Sequence, residues 1–368
     1  MTDCSSATSA VPSTATSTAL VTSATVEKAG PLTLIQDSGR RGQQHLGVSV
    51  GGSLDRHAAG WANRLLGNSA AAAVLEIALG PFALRFASET RIALTGADCG
   101  WRLDGRPLPP WASHRVPAGG LLQGGMARTG LRAYLAIAGG ILCPPVWGSR
   151  ATTVGEKLGG LCGQALRAGD QLPYQAVDYL PQSWHQRGPK PASHQLPGGQ
   201  NENPMLRRTP ARFQRRYDEP LVLRLVPSNQ FAQFPPSVTE QLFAQEYRVA
   251  ADSDRMGVRL SGDALGAHGL TADTLAGEGQ ALPGNLVSEA VSPGAVQVPS
   301  SGLPIVLMRD CQTIGGYPKI GHVYSVDLDR LAQARPGSIL RFVPGTLDES
   351  QSLLRQQRQF FLGVTHAR

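Results

Sequence analysis

Seven residues that could contact a ligand follow one short apolar run near the end of the chain. Residues 303–308 (LPIVLM) predict a β-strand. The hydrogen-bonding side chains and glycines that come next are Asp310, Gln312, Thr313, Gly315, Gly316, Tyr317 and Lys319. The double glycine allows the backbone to approach a bound molecule closely, so the segment predicts a binding site. The alternative is a tight hairpin with polar turn residues.

A second candidate loop follows the strand predicted at Leu32–Gln36. It places an amide, a carboxylate and a guanidinium close together between glycines, at Gln36, Asp37 and Arg40. A loop of this composition can bind an anionic or amide substrate. The alternative is that Asp37 and Arg40 pair with each other and brace the loop.

Residues 51–56 open the first predicted helix, 54–66, with Ser53 as its N-cap. The free amides at the start of such a helix suit a carboxylate or phosphate, and Asp55 lies within this segment. Ser53 acting only as a cap is the alternative.

Farther on, Glu76 interrupts an apolar run, which predicts either a buried partner for an Arg or Asn or a carboxyl group with a shifted pKa.

The second half of the chain has a counterpart of this loop at residues 252–257, which contain Asp254 and Arg255. The segment is too short for a calcium loop, and we expect Arg255 to form salt bridges with the acids beside it.

Gln297 lies in another predicted strand, 295–298. The eight histidines have no metal-binding spacing, and no P-loop, GxSxG elbow or GxGxxG after a strand occurs. The sequence therefore predicts no metal and gives no support for nucleotide binding by this chain alone.

Charge and composition exclude several classes of protein. Residues 186–217 contain seven basic residues and one acidic residue, which accounts for most of the net charge of +7, so a nucleic-acid surface is not expected. No apolar run approaches the ~20 residues that cross a bilayer.

The five cysteines lie far apart without a CxxC pair. That spacing favours a reducing compartment, the cytoplasm, over a disulfide framework or a zinc site.

Many short strand-like runs, with 43 glycines and 27 prolines, predict a mainly β protein of two barrel-like domains with a few covering helices. Helix starts resembling capping boxes occur at Ser237 with Glu240 and at Thr346 with Glu349. The predicted divisions are a disordered Ser/Thr/Ala-rich tail at 1–25, an N-terminal barrel domain at 26–177, a basic Pro-rich linker at 178–219, a C-terminal barrel domain at 220–345 and a C-terminal helix at 346–362.

Several of these segments together resemble a known family. The residues that carry the resemblance are Asp55 and the segments 33–40, 62–65, 75–80, 133–141, 253–257, 294–299 and 310–317. In order and spacing they resemble the C subunit of the bacterial ATP-dependent 5-oxoprolinase. The same family contains the kinase-inhibitor antagonist proteins, the allophanate hydrolase subunit 2 group and part of the carboxyltransferase domain of urea carboxylase. The resemblance extends from about residue 26 to residue 362.

The resemblance implies tandem cyclophilin-like β-barrel domains and partner chains, homologous to the A and B subunits of the oxoprolinase. The implied reaction opens the lactam of 5-oxoproline to L-glutamate, with ATP bound by or with the partners. Gln297, Gln312 and Thr313 would orient the substrate amide, and Asp310 or Asp37 would transfer protons. The groups expected to bind substrate or balance its charge are Gln36, Arg40, Asp55, Asp254, Arg255, Gly315, Gly316, Tyr317 and Lys319.

Two other functions are compatible with the same resemblance. One is a biotin-dependent carboxyltransferase acting on urea or a related amide. Its biotin would be carried by another protein, because the chain has no Met-Lys-Met motif. The other is a non-catalytic regulator that binds a kinase inhibitor. The extra N-terminal tail and the long basic linker are departures from the family pattern.

Overall fold

A computed structural model describes residues 21–176, 205–217, 220–266 and 287–362. The first half contains two six-stranded antiparallel sheets. One has the strand order β11-β1-β4-β9-β6-β7 and consists of β1 (Val21–Lys28), β4 (Phe82–Phe86), β6 (Arg102–Leu103), β7 (Arg106–Pro107), β9 (Leu121–Gly124) and β11 (Gln171–Gln175).

The other sheet of the first half has the order β12-β8-β5-β10-β3-β2. Its strands are β2 (Leu32–Gln36), β3 (Val74–Ala78), β5 (Thr90–Asp98), β8 (Ala112–Val116), β10 (Thr129–Ile137) and β12 (Met205–Arg208). Alternate side chains of the two sheets, such as Leu84 on β4 and Leu94 on β5, are fully buried in one shared core. This packing of apolar faces explains why the alternating pattern of the sequence predicted these strands well.

The second half forms a closed seven-stranded barrel of order β13-β20-β17-β18-β15-β14-β21. Its strands are β13 (Leu221–Pro227), β14 (Tyr247–Val249), β15 (Gly257–Ser261), β17 (Ala295–Gln297), β18 (Ile305–Leu307), β20 (Lys319–Val323) and β21 (Ile339–Pro344). Only the pair β13–β21 is parallel. A small hairpin-like sheet of β16 (Glu289–Ala290) and β19 (Ile314–Gly315) lies outside the barrel. The prediction of a mainly β protein with barrel-like halves is confirmed.

Four α-helices cover the sheets within the described residues. They are α1 (Arg56–Leu66), α2 (Pro236–Ala244), α3 (Ser325–Leu331) and α4 (Leu347–Leu362), and single 3-10 turns lie at Gln44–Leu46, Ala211–Phe213 and Phe231–Gln233. Leu54, just before α1, is buried in the core of the second-half barrel, so the two halves interlock at this point. Aromatic side chains of α1 and α4 meet on the opposite side, with the rings of Trp61 and Phe360 5.3 Å apart.

Two of the predicted helix caps are corrected. Asp55, not Ser53, caps α1, because its Oδ1 accepts the amide of Ala58 at 2.9 Å. α2 begins at Pro236 without a side-chain cap, and the amides of Val238 and Thr239 donate to the carbonyl of Pro235 instead. At α4 the hydroxyl of Thr346 accepts the amide of Glu349, which is one half of the predicted capping box, while the amide of Thr346 donates to the hydroxyl of Tyr324.

The predicted domain divisions change at two places. β1 begins at residue 21, so five residues of the predicted tail belong to a sheet, where they pair with β11. Residues 205–217 of the predicted linker pack on the first half, because β12 pairs with β8 and Phe213 stacks near Trp61. Residues 1–20 and 177–204, the rest of the predicted tail and most of the linker, lie outside the described residues.

Two further expectations can be compared with the structure. No helix in the described ranges combines the length and the apolar character needed to span a membrane. Three cysteines, Cys99, Cys143 and Cys311, are free and buried. Cys162 is disulfide-bonded, which the wide spacing of the cysteines did not predict.

Phe213 provides a test of whether residues 205–217 are part of the folded first half. Its ring lies 5.2 Å from Trp61 and 5.4 Å from Phe360. We expect Phe213→Ala to lower the free energy of unfolding by about 2 kcal/mol, because a half-buried aromatic contact is lost. Denaturant unfolding measures this. Arg208→Ala, an exposed change in the same segment, is the control and should alter the value by less than about 0.5 kcal/mol. Equal stability of both variants would contradict the packing.

Candidate functional site

The loop after β2 is held by hydrogen bonds to residues 146–151, and not by pairing of Asp37 with Arg40. The carboxylate of Asp37 accepts the hydroxyl of Ser149 at 2.7 Å and the amide of Arg150 at 2.6 Å. The guanidinium of Arg40 donates to two carbonyl oxygens, of Val146 and Ala151, both at 3.0 Å. Each residue therefore braces the loop, but neither does so through the other.

Two polar atoms of this loop remain without a partner among the described residues. Gln36 donates its Nε2 to the carbonyl of Thr152 at 2.8 Å, while its Oε1 is buried and unpaired. Arg40 is fully buried, and its Nη1 is likewise unpaired. Burial lowers the pKa of Arg40, although the charge of Asp37 opposes this effect. Buried unpaired groups are uncommon, so these atoms are available to water or a ligand.

The amides predicted to bind an anion before α1 are occupied by the protein itself. Ser53 donates its amide to the carbonyl of Asp37 at 3.0 Å, and Leu54 donates to Glu76 at 2.8 Å. Asp55 donates its amide to the hydroxyl of Tyr134 at 2.8 Å. The carboxylates that this helix start binds are thus those of Glu76 and Asp329, and these amides are not free for a ligand.

Arg255 links the second half to the first through the strongest ion pairs of the site. It donates two parallel hydrogen bonds to Asp310, at 2.8 and 2.9 Å, and a third from Nη2 to the carbonyl of Gly52 at 2.8 Å. Its Nη1 donates to Glu76. Burial alone would lower the pKa of Arg255, but the charges of Glu76 and Asp310 outweigh it and raise the pKa.

Glu76 is the buried first-half partner of this arginine. Its second oxygen accepts the hydroxyl of Tyr134 at 2.7 Å as well as the amide of Leu54. Burial opposes its ionisation, but Arg255 and Arg132 overcome this and lower the pKa of Glu76. Glu76 is thus the buried partner of an arginine, as one of its two predicted roles required, and its lowered pKa is a consequence of that pairing.

Arg309, which the sequence analysis did not single out, lies over the glycines of the first-half loop. Its Nε donates to the carbonyl of Gly51 at 2.5 Å and its Nη2 to the carbonyl of Ser38 at 2.8 Å. Gly39 has a φ of 92°, and a Cβ there would stand 2.5 Å from Nη2 of Arg309. The glycine is therefore required both by its backbone conformation and by the close approach of the guanidinium. No local sequence signal marks Arg309, because the partners of its side chain lie 258 and 271 residues away.

Two carboxamide groups converge on Gly315. A Cβ on this glycine would stand 2.9 Å from Nε2 of Gln297 and 3.4 Å from Nε2 of Gln312. Gln297 is 1% exposed, and its Nε2 has no partner among the described residues. Gln312 is exposed. The missing side chain at Gly315 thus leaves two carboxamide nitrogens near one small space, and such nitrogens donate hydrogen bonds to carbonyl and carboxylate oxygens.

The remaining predicted site residues are distributed around this region. Lys319 lies opposite Gln297 in the β17–β20 register, but its amine is 2.7 Å from Glu289. Thr313 is half-buried, and its carbonyl accepts the amide of Val291. Gly316 is half-buried and Tyr317 is exposed. Their assignment to substrate binding stays a prediction.

Asp254 and Asp55 have structural contacts of their own. Asp254 is exposed and its Oδ1 accepts the amides of Met256 and Gly257, which closes the turn before β15. Asp55 caps α1 and also accepts the side-chain amide of Gln333 at 2.8 Å. Neither directs a carboxylate at Gly315 in these contacts, and their assignment to substrate binding also stays a prediction.

No metal site emerges from the part of the chain that the structure describes, which contains no group of three or more His, Cys, Asp or Glu placed to hold an ion. One open cavity of about 440 Å³ lies elsewhere in the first half, and the residues that line it are Cys99, Gly100, Arg102, Gln123, Gly124, Gly125, Met126 and Arg128. None of the predicted site residues lines that cavity. Two candidate regions therefore remain. One is the contact between the halves at Asp37, Arg255 and Asp310, called the seam below, and the other is the pair of carboxamides at Gly315 in the second half.

Glu76 provides a test of the charge pairing across the seam. We expect Glu76→Gln to lower the free energy of unfolding at pH 7 by roughly 3–5 kcal/mol, because it leaves Arg255 and Arg132 buried without their shared carboxylate. The pKa of Glu76 is lower in the folded than in the unfolded chain, where it is about 4.3. Its contribution is therefore complete above that pH and is lost as the pH falls through the folded-state pKa.

Chemical unfolding of the wild type and the variant between pH 3 and pH 8 measures both effects. Glu89→Gln is the control, because Glu89 pairs with Arg115 on the exposed surface at 2.9 Å, and such pairs contribute less than about 1 kcal/mol. The pairing would be refuted by a Glu76→Gln variant that is as stable as the wild type at pH 7.

Comparison with known proteins places the chain in a family. The family model described as carboxyltransferase domain, subdomain A and B, matches residues 46–344. The chain is 35% identical over 336 residues to the 5-oxoprolinase C subunit of Escherichia coli, and the match covers 91% of this chain and 95% of that protein. It is 30% identical over 329 residues to urea amidolyase of Saccharomyces cerevisiae, covering 89% of this chain but 17% of the amidolyase.

The solved structures agree with this result. The structure of the K. lactis urea amidolyase is similar with a TM-score of 0.78 and 28% identity, covering 92% of this chain and 20% of that one. The chain thus spans only about a fifth of the urea amidolyases but nearly all of the oxoprolinase chain. The resemblance predicted from the motifs is confirmed, and the chain belongs to the carboxyltransferase domain, subdomain A and B, family.

Proposed function

We propose that this chain is one component of a cytoplasmic, ATP-dependent 5-oxoprolinase, a hydrolase that opens a cyclic amide together with homologues of the A and B subunits. The observation that carries the proposal is the pair of carboxamide donors at Gly315, in the segment that begins with the Asp310–Arg255 ion pair. A lactam carbonyl or the carboxylate of 5-oxoproline is the acceptor that such donors recognise. Similarity to the E. coli oxoprolinase chain over almost its whole length supports the same function.

In this proposal Gln297 and Gln312 hold the substrate oxygen and Thr313 contributes a further hydroxyl. Water adds to the lactam carbon, the carbon–nitrogen bond breaks, and the nitrogen gains the proton that the water gives up. Asp310 is assigned this proton transfer because its side chain retains 13% exposure, and Arg255 holds both its oxygens in one orientation. Asp37 is less suited, because three protein donors already occupy its oxygens.

ATP is assigned to the partner chains, or to their interface with this chain, because the chain has no P-loop and the amides before α1 are occupied. Transfer of its terminal phosphoryl group to the lactam oxygen would make the ring carbon a better electrophile for water. Breaking of the carbon–nitrogen bond would then leave an acyl phosphate, and a second water would release the phosphate, so that ATP and two waters give glutamate, ADP and phosphate. Arg40 and Lys319 were predicted to balance negative charge. In the structure Lys319 is neutralised by Glu289, so Arg40, with its free Nη1, is the better placed of the two.

A second candidate is a biotin-dependent carboxyltransferase acting on urea or a related amide. It is favoured by the TM-score of 0.78 with the K. lactis urea amidolyase. Biotin would have to arrive on another protein. The same two carboxamides would then bind the amide that accepts the carboxyl group, so the site geometry serves both reactions.

Reconstitution separates the two functions. The chain is purified with homologues of the A and B subunits, and glutamate release from 5-oxoproline is measured with and without ATP and with and without this chain. The oxoprolinase proposal expects glutamate only when ATP and all chains are present. A complex that forms no glutamate but consumes carboxybiotin in the presence of urea would overturn it in favour of the transferase.

Within the active complex, we expect Asp310→Asn to lower kcat by about 10²–10⁴-fold, the usual effect of losing a general base. Gln312→Ala should lower kcat/KM by roughly tenfold, because one donor to the substrate oxygen is lost. Asp252→Asn, which changes an exposed carboxylate in the loop that carries Arg255, is the control and should leave turnover unchanged. Thermal unfolding of each variant checks that the fold is retained. Full activity of Asp310→Asn would exclude its role in proton transfer.

A further inference from the structure

Gln297 and Lys319 lie side by side on the outer face of the second-half barrel. They are directly opposite each other in the register of β17 and β20. Their neighbours along the strands, Val296 and Ile320, are fully buried in the barrel core. Because successive side chains of a strand point to opposite faces, Gln297 and Lys319 point away from that core. Both are nevertheless buried, so another layer of the protein covers them.

A β-bulge places Lys319 on this face. The register of the two strands shifts after Val296, and Gln297 faces Lys319 as a result. In an unbroken ladder Lys319 would lie opposite Val298 and point with it into the apolar barrel core. Ile320 is the extra residue, and its side chain stays in the core. The bulge therefore directs a lysine out of an apolar core and towards a carboxamide, and bulges often redirect side chains in this way beside binding sites.

The small sheet of β16 and β19 is the layer that covers this face. The amine of Lys319 donates to the carbonyl of Ala290 at 3.1 Å. The next residue, Val291, would stand 3.4 Å from a Cβ on Gly315, and the same Cβ would stand 2.9 Å from Nε2 of Gln297. Opposite residues of antiparallel strands have Cβ atoms about 5 Å apart, so one small ligand can reach both the ammonium and the carboxamide.

Glu289 is the carboxylate partner of Lys319, at 2.7 Å. The two side chains differ in exposure, since that of Lys319 is 7% exposed and that of Glu289 is 38% exposed. An ammonium group has three N–H donors. In the described part of the chain those of Lys319 have two acceptors, the carboxylate of Glu289 and the carbonyl of Ala290. One donor therefore remains for a ligand, and the existing carboxylate partner is the more accessible member of the pair.

We propose that Lys319 binds a carboxylate of the ligand, next to the carboxamides that bind its amide oxygen, and that Glu289 takes the place of that carboxylate in the free protein. The substrate class is then an amide that also carries a carboxylate, and not a neutral amide. This inference rests on the proposed function for the reaction at the amide.

Exchange of one carboxylate for another keeps the buried ammonium paired, which avoids the cost of a buried charge without a partner. Glu289 is suited to leave because its side chain is partly in water already. It also lies on a strand of two residues outside the barrel, where few backbone hydrogen bonds hold it. Lys319 has neither freedom, because it is buried and its strand belongs to the closed barrel.

Isothermal titration with two lactams tests this site, on the purified full chain and on its complex with homologues of the A and B subunits. The lactams are 5-oxoproline and 2-pyrrolidinone, which has the same ring without the carboxylate. We expect Lys319→Met to bind 5-oxoproline at least about tenfold more weakly than the wild type, because a charge-assisted hydrogen bond is lost. Glu289→Gln should bind it roughly threefold more tightly or better, because the internal competitor is removed.

2-Pyrrolidinone should bind the wild type at least about tenfold more weakly than 5-oxoproline does, and neither substitution should change its affinity. Lys28→Met and Glu246→Gln are the matched controls, since both side chains are exposed, and they should bind both lactams like the wild type. The thermal unfolding temperature of each variant checks the fold. A distorted site would lose affinity for both lactams, and tighter binding by Glu289→Gln cannot result from misfolding.

Weaker binding of 5-oxoproline by Glu289→Gln would make the ion pair a structural contact only and would overturn the exchange. Equal affinities of the wild type for the two lactams, unchanged binding by Lys319→Met, or absence of 5-oxoproline binding to both the chain and the complex would refute the carboxylate subsite. Failure of the proposed function is a separate result. If the complex releases no glutamate but binds 5-oxoproline in a manner that depends on Lys319, the subsite stands and only the reaction is excluded.

Discussion

The pairing of Arg255 with Glu76 and Asp310 is the interaction on which the rest of the seam depends. It joins a second-half arginine to a buried first-half carboxylate and to the first residue of the candidate binding segment. Such a buried network requires that every member be paired, because an unpaired buried charge costs several kcal/mol. It therefore fixes the relative position of the two halves more strictly than apolar packing alone would. The interlocking of Leu54 with the barrel core reinforces the same position.

This arrangement also decides where a ligand can bind. Glu76, Tyr134 and Asp37 occupy the amides before α1, so the helix end is used to join the halves and not to bind an anion. Binding capacity is left instead at side chains that the network does not satisfy. These are the carboxamide of Gln297 and the guanidinium group of Arg40. The groups that join the two halves and the groups that remain for a ligand are therefore different atoms that lie close together.

The sequence predicted the local features of this molecule better than the distant ones. Strands such as Leu32–Gln36 were placed correctly because alternation and turn residues are read over a few positions. Glu76 was found because a carboxylate in an apolar run is conspicuous, but Arg255 could not be identified as its partner from a separation of 179 residues. Arg309 gave no signal, since only the fold brings it to Gly39 and Gly51. Residues 205–208 were assigned to a linker because their composition is basic, whereas pairing with β8 makes them a strand.

Arg255 and Arg309 lie at the same seam, but their pKa values are shifted in opposite directions. Both are buried, yet two carboxylates raise the pKa of Arg255, whereas burial and neighbouring cations lower that of Arg309 to about 9. Within the described residues, only Arg255 has carboxylate partners that balance its charge. The difference comes from the partners that the fold supplies, because the hydrogen bonds of Arg309 to these residues go to the carbonyl oxygens of Gly51 and Ser38, which carry no net charge.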